Sequence, residues 1–229
     1  MLLDNSRVGT KKVKYAFLGD EQVYGEHFKY QLTADNIITL TITVDSTLMA
    51  GIDFPADTDI SLCMCGGAGS GAAENDDYIA TGGGRRGEIT QAIINYPSGT
   101  VIAVDIGSGG GSVNDDVQGI AGTQSAFDTH IALGGAGGIR HTADYASDGK
   151  PFISPCDGEV YYDGAADGYS GYGGQAGAFG NGGRAVNDNP AGGGGIGAGG
   201  GGATWSQGGG EPSGPGGRGQ VVLKWEKEI

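Results

Sequence analysis

The residues best suited to binding lie in segment 139–170, which is rich in tyrosine and contains little glycine for this chain. Tyrosines on a rigid support provide a large contact area at a low cost in conformational entropy, as they do in antibody paratopes. Saccharide rings and exposed loops of membrane proteins are both plausible ligands for such a surface. The alternative is a loop whose tyrosines pack against one another. The predicted binding residues, which include one tryptophan between two glycine-rich stretches, are Tyr145, Phe152, Tyr161, Tyr162, Tyr169 and Trp205. For Trp205 the alternative is packing on an outer layer.

Three short acidic runs offer oxygen atoms to a metal ion: residues 75–77, 114–116 and 187–189, each made of Asn and Asp. Calcium needs six to eight oxygen ligands. The spacing within these runs matches no calcium-binding loop, and Asn and Asp are common in turns for backbone reasons alone. We therefore interpret the runs as solvated turns and predict no metal site.

Catalytic signatures are absent from the sequence. His27, His130 and His141 do not stand at metal-ligand spacings, and His130 has only the nearby Asp128 to suggest a catalytic pair. Matches to G-x-G-x-x-G follow from the high glycine content, since no βαβ pattern surrounds them. We predict no catalytic residue, no cofactor and no enzymatic activity. A pair of aspartates able to cleave polysaccharide is the enzymatic alternative that the sequence leaves open.

The chain contains three cysteines, Cys63, Cys65 and Cys156. The Cys-x-Cys spacing matches neither a zinc ribbon nor a thioredoxin motif, and alternation places both sulfurs on one face of a strand. Three cysteines also form no disulfide framework. The sequence therefore predicts small, buried apolar side chains at these positions.

The charge of the chain limits its partners. The formal net charge is −14, so no basic surface is available to neutralise nucleic-acid phosphates. The first residues lack the apolar core of a signal peptide, and no apolar run approaches the length of a membrane span. We expect a protein made in the cytoplasm, without export, and no binding to nucleic acid.

Strand-like alternation dominates the regions that are not rich in glycine, and no window shows the 3.6-residue period of a helix. The segment "IITLTITV" gives the clearest pattern, with apolar residues at 38, 40, 42 and 44. Residues 12–25 are predicted to form a hairpin around Gly19–Asp20. Residues 27–65, 88–106 and 220–226 are predicted to supply the sheets of a small β-sandwich.

Glycine accounts for 50 of the 229 residues and is concentrated in islands. The last predicted strand follows these islands, so the glycine-rich region must be enclosed within the fold rather than act as a linker. An extended helix with three residues per turn points its backbone polar groups outward. Without Cβ atoms, several such helices can pack side by side. We therefore predict polyglycine II helices fused to the sandwich, and nearly no α-helix. The islands are 66–71, 82–87, 107–111, 134–138, 171–183, 192–202 and 208–219.

The order of these elements resembles the glycine-rich domain of bacteriophage minor tail and tail-tip receptor-binding proteins. In that pattern a strand is followed directly by a glycine-rich segment, and then by two strands joined by a Pro/Ser-Gly turn. An element of small residues and further glycine islands come next, and a final strand completes the domain. The corresponding sequences here are "DISLCMCGGAGSG", "GEITQAIINYPSGTVIAVDIGSGGG", "GIAGTQSAF" and "GGRGQVVLKW". The match covers about residues 27–229. A more distant likeness is to the polyglycine-helix adhesins of T-even-like long tail fibres, from which this chain departs in its shorter, interrupted islands.

The start of the chain, "KKVKYAFLGDEQVYGE", is similar to the short hairpin that opens many phage minor tail proteins. The resemblance implies that residues 1–26 attach the chain to a neighbouring virion component and that 27–229 form the glycine-rich domain. The attachment residues that it implies are Tyr15, Phe17, Leu18, Val23 and Tyr24.

Together, these resemblances imply a virion protein of the phage tail that recognises the host surface through loops on a rigid glycine scaffold. Its expected partners are other tail proteins and a bacterial receptor, either a polysaccharide or an outer-membrane protein, and a homo-oligomer is compatible with the sequence. Two alternatives stay open. One is a structural virion component that binds no receptor, and the other is a non-viral polyglycine bundle such as an ice-binding protein.

Overall fold

The computed structural model describes a sandwich of β-sheets joined to a glycine-rich region. The described residues are 7–8, 11–12, 16–18, 21–24, 28–32, 36–75, 81–140, 151–162, 166–167, 170–171, 173–184, 186–187, 190–204 and 212–226.

The described residues contain strands and one short 3₁₀ turn, and no α-helix. The strands of the first half are β1 (Arg7–Val8), β2 (Lys11–Lys12), β3 (Ala16–Leu18), β4 (Glu21–Tyr24), β5 (Phe28–Leu32), β6 (Ile37–Ile42), β7 (Ser46–Met49), β8 (Ile60–Cys65), β9 (Ala73–Glu74), β10 (Ile89–Ile94) and β11 (Val101–Asp105). Those of the second half are β12 (Ser125–Phe127), β13 (His130–Ala132), β14 (Pro151–Ile153), β15 (Val160–Tyr162), β16 (Ala166–Asp167), β17 (Ser170–Gly171), β18 (Val186–Asn187), β19 (Ala203–Thr204) and β20 (Gln220–Glu226). The 3₁₀ turn is Gly177–Phe179.

One sheet of the sandwich has five antiparallel strands in the order β10-β8-β20-β6-β5. The last strand of the chain, β20, lies in its middle, between β8 and β6. The glycine-rich region is therefore enclosed in the fold, as the sequence predicts. Because every pair is antiparallel, one face of the sheet can be apolar while the other stays polar.

The other sheet has four antiparallel strands in the order β13-β12-β11-β7. Strands β7 and β11 fall within the segments that the sequence predicts as sheet-forming. Strands β12 and β13 do not, since each has three residues and too short an alternation to be recognised. They join at Asp128, whose φ of 53° lies in the left-handed region that Asp tolerates in tight turns.

The core lies between the two sheets and consists mainly of apolar side chains. Phe127, Leu62 and Leu223 have no exposed surface. Buried positions alternate along β20 and in the second half of β6, whereas five of the six residues of β8 are buried. The all-β, sandwich-like fold predicted from the alternating pattern is confirmed. Val44, which the pattern groups with the buried residues of β6, lies beyond the strand and is exposed.

Tyr96 closes one edge of this core, with its ring against Phe54 and Phe127. Its hydroxyl donates a 2.9 Å hydrogen bond to Asp128. Burial, followed by this hydrogen bond and the charge of Asp128, raises the pKa of Tyr96 to about 12.

Because the pKa of Tyr96 is higher in the folded protein, its contribution to stability is complete below the ordinary tyrosine pKa of about 10 and is lost as the pH rises towards 12. We therefore expect the stability advantage of the wild type over Tyr96→Phe to shrink between about pH 9 and about pH 12. Urea unfolding of both proteins across this range measures it. A difference in the free energy of unfolding that stays constant over this pH range would contradict the raised pKa of Tyr96.

The glycine-rich segment 66–73 lies at the centre of the glycine-rich region and is bonded on every side. Its N–H groups donate to three neighbouring segments in turn, so that every third residue returns to the same neighbour. Residues 66, 69 and 72 donate to segment 82–88, residues 67, 70 and 73 to 117–123, and residues 68 and 71 to 214–217. The period is that of an extended helix with three residues per turn.

The carbonyl groups of the same segment accept from three further neighbours. Gly135 and Gly138 donate to residues 67 and 70, Gly110 donates to residue 68, and Gly200 and Ala203 donate to residues 69 and 72. The pairing order makes these three neighbours parallel to segment 66–73 and the three acceptor segments antiparallel to it. We call this hydrogen-bonded bundle the glycine lattice. Its dihedral geometry as polyglycine II stays a prediction, which the three-residue period supports.

The lattice has two ends because its segments run alternately away from the sandwich and back. Segment 66–73 leaves β8 and reaches β9, and segment 82–88 returns to β10. We call the end away from the sandwich the distal end; residues 74–75, 113–117, 140, 186–187, 203–204 and 212–213 lie there.

At the start of the chain, β3 and β4 pair as an antiparallel hairpin with a bulge near Ala16. This agrees with the predicted hairpin at 12–25. The proposed boundary between residues 26 and 27 stays a prediction. Within the part of the chain that the structure describes, no helix has the length and apolar character needed to cross a membrane.

Candidate binding surface

The distal end gathers residues of all three acidic runs, at positions 75, 114–116 and 187. Strands β18, β19 and β9 form a small parallel sheet there, which aligns Asn187 with Thr204 and Thr204 with Glu74. The Asn75 side chain donates to Asp115, and the Asn75 N–H donates to the Asp116 carboxylate at 3.0 Å. This contact could not be predicted from the sequence, because the residues are 40 and 41 positions apart.

A buried ion pair holds these distal turns together. The Arg140 Nε donates to Glu74 at 2.8 Å and its Nη2 donates to the other carboxylate oxygen at 3.1 Å. Only 2% of the Glu74 side chain is exposed. The same guanidinium donates to the Asp116 carbonyl and lies 3.4 Å from its carboxylate. Sequence reasoning missed Arg140.

Asp115 and Asp116 both have φ values near 50°, in the left-handed region, which marks this run as a tight turn. Its carboxylates bond to Asn75 and Arg140 rather than converge on a shared centre. Among the described residues, no group of three or more His, Cys, Asp or Glu side chains is arranged to hold a metal ion.

A second candidate surface is the hairpin of β14 and β15, which we call the tyrosine hairpin, residues 151–162. Phe152 pairs with Tyr161, and Ile153 pairs with Val160. Its tip is closed by hydrogen bonds from the Ser154 N–H to Glu159 and from the Gly158 N–H to Ser154. Gly158 has a φ of 74°, which few other residues adopt.

The inner face of the tyrosine hairpin rests on the scaffold. The Arg86 guanidinium lies 3.7 Å above the centre of the Phe152 ring, a cation–π contact. The Phe152 and Tyr161 rings are 6.0 Å apart. At the base, the Tyr162 N–H donates to the Gln175 side chain, and the Gln175 N–H donates back to the Tyr162 carbonyl.

The Tyr161 hydroxyl donates a 3.0 Å hydrogen bond to Asp157 within the same hairpin. This bond raises the pKa of Tyr161. Slight desolvation raises the pKa of Asp157, but hydrogen bonds from the Glu159 N–H and the Tyr161 hydroxyl outweigh it and hold that pKa below its ordinary value. Phe152 and Tyr161 thus contact each other, as the self-packing alternative expects, while Tyr162 does not share their face.

The outer face of the tyrosine hairpin is apolar and open. Ile153 is 69% exposed, Val160 is 56% exposed and Tyr162 is 54% exposed. Cross-strand partners lie on one face of a hairpin, so Ile153 and Val160 share a face with Pro151 and Tyr162. The sequence pointed to Tyr162 but missed the two aliphatic residues, whose strands are three residues long.

A disulfide joins the tyrosine hairpin to the five-stranded sheet. It links Cys156, in the hairpin tip, to Cys63 of β8, with 5.8 Å between the Cα atoms. The prediction of small, buried apolar side chains outside any disulfide was therefore wrong for Cys156, which is bonded and only partly buried. For Cys63 the predicted burial is confirmed, but the sulfur is bonded. The two cysteines are 93 positions apart, and the sequence cannot show which residue of β8 the tip approaches.

The prediction was correct for Cys65, whose thiol is free and buried. Burial raises its pKa to about 12, although a hydrogen bond with the Gln220 backbone opposes this effect. Cys65 also lies on the same strand face as Cys63, as alternation predicts.

The thiol content of the protein follows from this arrangement. We expect a thiol reagent such as dithionitrobenzoate to find no reactive thiol in the native protein, because the thiolate is the reactive form. Denaturation without reductant should release one thiol, and denaturation after reduction should release three. Two or more thiols in the unreduced, denatured protein would contradict the disulfide.

An open groove of about 680 Å³ lies on the outer face of the five-stranded sheet. Ser61, Lys224 and Thr39 are register partners across three adjacent strands, and all three line the groove. Cys63 stands two residues from Ser61 on the same face of β8. The disulfide therefore places the tip of the tyrosine hairpin beside the groove.

The remaining predicted site residues divide into two groups. Phe17, Leu18, Val23 and Tyr24 lie in β3 and β4. The others lie outside the described residues: Tyr15, Tyr145, Tyr169 and Trp205.

Two comparisons with known proteins bear on this architecture. A search of the curated proteins found no match. Residues 45–155, which carry the four-stranded sheet, β8, β10 and the lattice segments between them, match the family model described as a glycine-rich domain. About half of this chain is thus similar to a glycine-rich domain.

Proposed function

We propose that this chain is a bacteriophage tail protein that binds the bacterial surface through side chains fixed on a glycine scaffold. The resemblance of its order of elements to phage tail domains motivates this assignment, and the match to a glycine-rich domain is compatible with it. As a virion component it would be made in the host cytoplasm and would contact other tail proteins. The proposal assigns it no catalytic activity.

One observation carries the binding role: the tyrosine hairpin exposes an apolar face while its other contacts hold it in place. The disulfide, the Arg86–Phe152 contact and the paired hydrogen bonds with Gln175 all restrain it. A surface that is ordered before it binds loses little conformational entropy on binding. Tyr162, Ile153 and Val160 are the proposed contacts, with the neighbouring groove as a subsite for polar groups.

The direct test is binding of the fluorescently labelled protein to a panel of intact Gram-negative and Gram-positive bacteria. We expect saturable binding to a subset of strains, and loss of binding to derivatives of those strains that lack surface polysaccharide or a particular outer-membrane protein. Binding to no strain, combined with incorporation into phage particles, would favour the structural virion component.

The proposed contacts predict a specific loss. We expect the double variant Tyr162→Ala and Ile153→Ser to reduce cell binding at least tenfold, because exposed aromatic and aliphatic anchors dominate such interfaces. Its melting temperature should stay near the wild-type value, since both side chains are more than half exposed. Ile120→Ser, which changes a half-exposed isoleucine on the lattice, is the matched control. Equal binding by both variants would remove the hairpin from the receptor-binding surface.

A further inference from the structure

We propose that Cys156 is the reactive thiol of this protein, that it is oxidised after synthesis by a low-molecular-weight disulfide, and that the resulting bond to Cys63 locks the tyrosine hairpin. The chemical part of the proposal stands on the geometry of the cysteines. Only its consequence for cell binding rests on the proposed function.

The two partners differ in access. Cys156 lies in the tip of the hairpin, between Ser154 and Gly158, and is partly exposed. Cys63 lies in the second strand of the five-stranded sheet, between β10 and β20, and is 8% exposed. An external disulfide therefore reaches the sulfur of Cys156 first. Cys63 is reached mainly by the hairpin tip above it.

Cys65 cannot form a disulfide with Cys63 or Cys156, although it lies only two residues from Cys63. It has no exposed surface, and Gly197 packs so closely that a Cβ at that position would lie 2.7 Å from the Cys65 sulfur. Segment 195–198 of the lattice thus covers Cys65. The fold selects one disulfide of the three that the cysteines allow.

With glutathione disulfide as oxidant, the reaction has two exchange steps. The Cys156 thiolate attacks one sulfur of glutathione disulfide, forming a mixed disulfide and releasing one glutathione thiolate. The Cys63 thiolate then attacks the Cys156 sulfur, forming the Cys63–Cys156 bond and releasing the second glutathione. The two cysteines lose two electrons and two protons in total, and one glutathione disulfide is reduced to two glutathiones.

Before oxidation, only noncovalent contacts hold the tyrosine hairpin. They include the cation–π contact of Phe152 with Arg86, the two hydrogen bonds with Gln175, the hydrogen-bonded turn at the tip, and the packing of the fully buried Ser154 against Gly177. The disulfide adds a tether at the opposite end from Gln175, so the hairpin is fixed at both its base and its tip. Asp157 and Glu159 in the tip are exposed, so we expect the tip to open more often in the reduced protein than in the oxidised one.

Trapping experiments test the order of reaction. The reduced protein is incubated with glutathione disulfide and followed by intact mass. We expect Cys63→Ser to accumulate one glutathione on Cys156, and Cys156→Ser to accumulate none at the same time. The wild type should pass through the mixed disulfide to the internal bond. Equal modification of the Cys156→Ser variant, or a wild type that retains glutathione, would overturn the proposal.

Hydrogen exchange tests the lock. We expect the amide protons of Ser154 and Gly158 to exchange about tenfold faster or more in the reduced protein than in the oxidised one. Core amides of β8 and β20 should change less. The variant Cys156→Ser should match the reduced protein under both conditions, which also keeps the test valid if Cys63→Ser folds poorly. Equal exchange rates in both redox states would show that the bond locks nothing.

Cell binding separates this proposal from the proposed function. If the oxidised protein binds bacteria and the reduced protein binds at least tenfold more weakly, the bond controls the receptor-binding surface. Equal binding by the two forms would remove that consequence. If neither form binds any strain, the receptor role fails, while the mass and exchange results still decide the reactivity of Cys156 and the lock.

Discussion

Replacement of Gly200 by leucine is expected to destabilise the protein by about 4 kcal/mol or more, which exceeds a typical core mutation. The Gly200 N–H donates to Gly69 and its carbonyl accepts from Gly84, so the residue is bonded to two different lattice segments. A Cβ at this position would lie 2.5 Å from the carbonyl carbon of Gly214 and 2.7 Å from the Pro215 oxygen. Only a shift of one segment away from another could accommodate it, and that shift would break hydrogen bonds along both.

Urea unfolding of the purified variant, or its failure to accumulate in soluble form, measures this effect. Gly111 provides the matched control. It lies in a lattice segment too, but a Cβ there would meet only the Ile120 side chain, at 4.0 Å. We expect Gly111→Leu to change the stability by less than about 1 kcal/mol. Gly194→Leu should behave like Gly200→Leu, since its Cβ would overlap the Ala198 carbonyl. If all three variants fold equally well, segment 192–202 is a flexible linker rather than part of a lattice.

Replacement of Arg140 by methionine is expected to cost about 3 kcal/mol. The methionine keeps much of the side-chain volume but removes the guanidinium from Glu74, whose side chain is only 2% exposed. A carboxylate at such depth is strongly disfavoured unless a charged partner compensates it. The contacts of Arg140 with Asp116 disappear as well, so the turns at 74–75 and 114–116 lose their common anchor.

Two controls separate loss of the ion pair from loss of a surface charge. Arg85→Met removes an exposed arginine from the same lattice and should change the stability by less than about 0.5 kcal/mol. Adding Glu74→Met to Arg140→Met should recover part of the lost stability, because the buried carboxylate is removed as well. Full stability of the single variant would mean that the distal turns do not depend on this pair.

These two variants should also affect cell binding differently, because they disturb different parts of the structure. Gly200→Leu disturbs the lattice between the sandwich and the distal end. Arg140→Met acts at the distal end only, and the tyrosine hairpin is held elsewhere by Cys63, Arg86 and Gln175. A folded Arg140→Met protein should therefore keep the hairpin-dependent cell binding that Tyr162→Ala and Ile153→Ser reduce.

The sequence by itself determined the fold class and the segments that contain the longer strands. Apolar alternation in β6 and β20 requires one buried face, and a chain without helical periodicity can supply that face only in sheets. The position of β20 after the last glycines also determined that the glycine-rich region is enclosed. The absence of side chains from the islands indicated close packing of backbones, because glycine is otherwise costly to order.

Only the tertiary structure decided which segments meet. Hydrogen bonds between glycine segments have no side-chain pattern, so the six neighbours of segment 66–73 cannot be derived from composition. Contacts between side chains far apart in the chain could not be predicted from the sequence either. These contacts are Cys63 with Cys156, Glu74 with Arg140, and Arg86 with Phe152. The local sequence indicates whether a segment forms a strand or an extended helix. Which side chains contact each other depends on how the lattice segments are arranged next to one another. That packing places the tip of the tyrosine hairpin over β8, and it makes two of the three cysteines a pair.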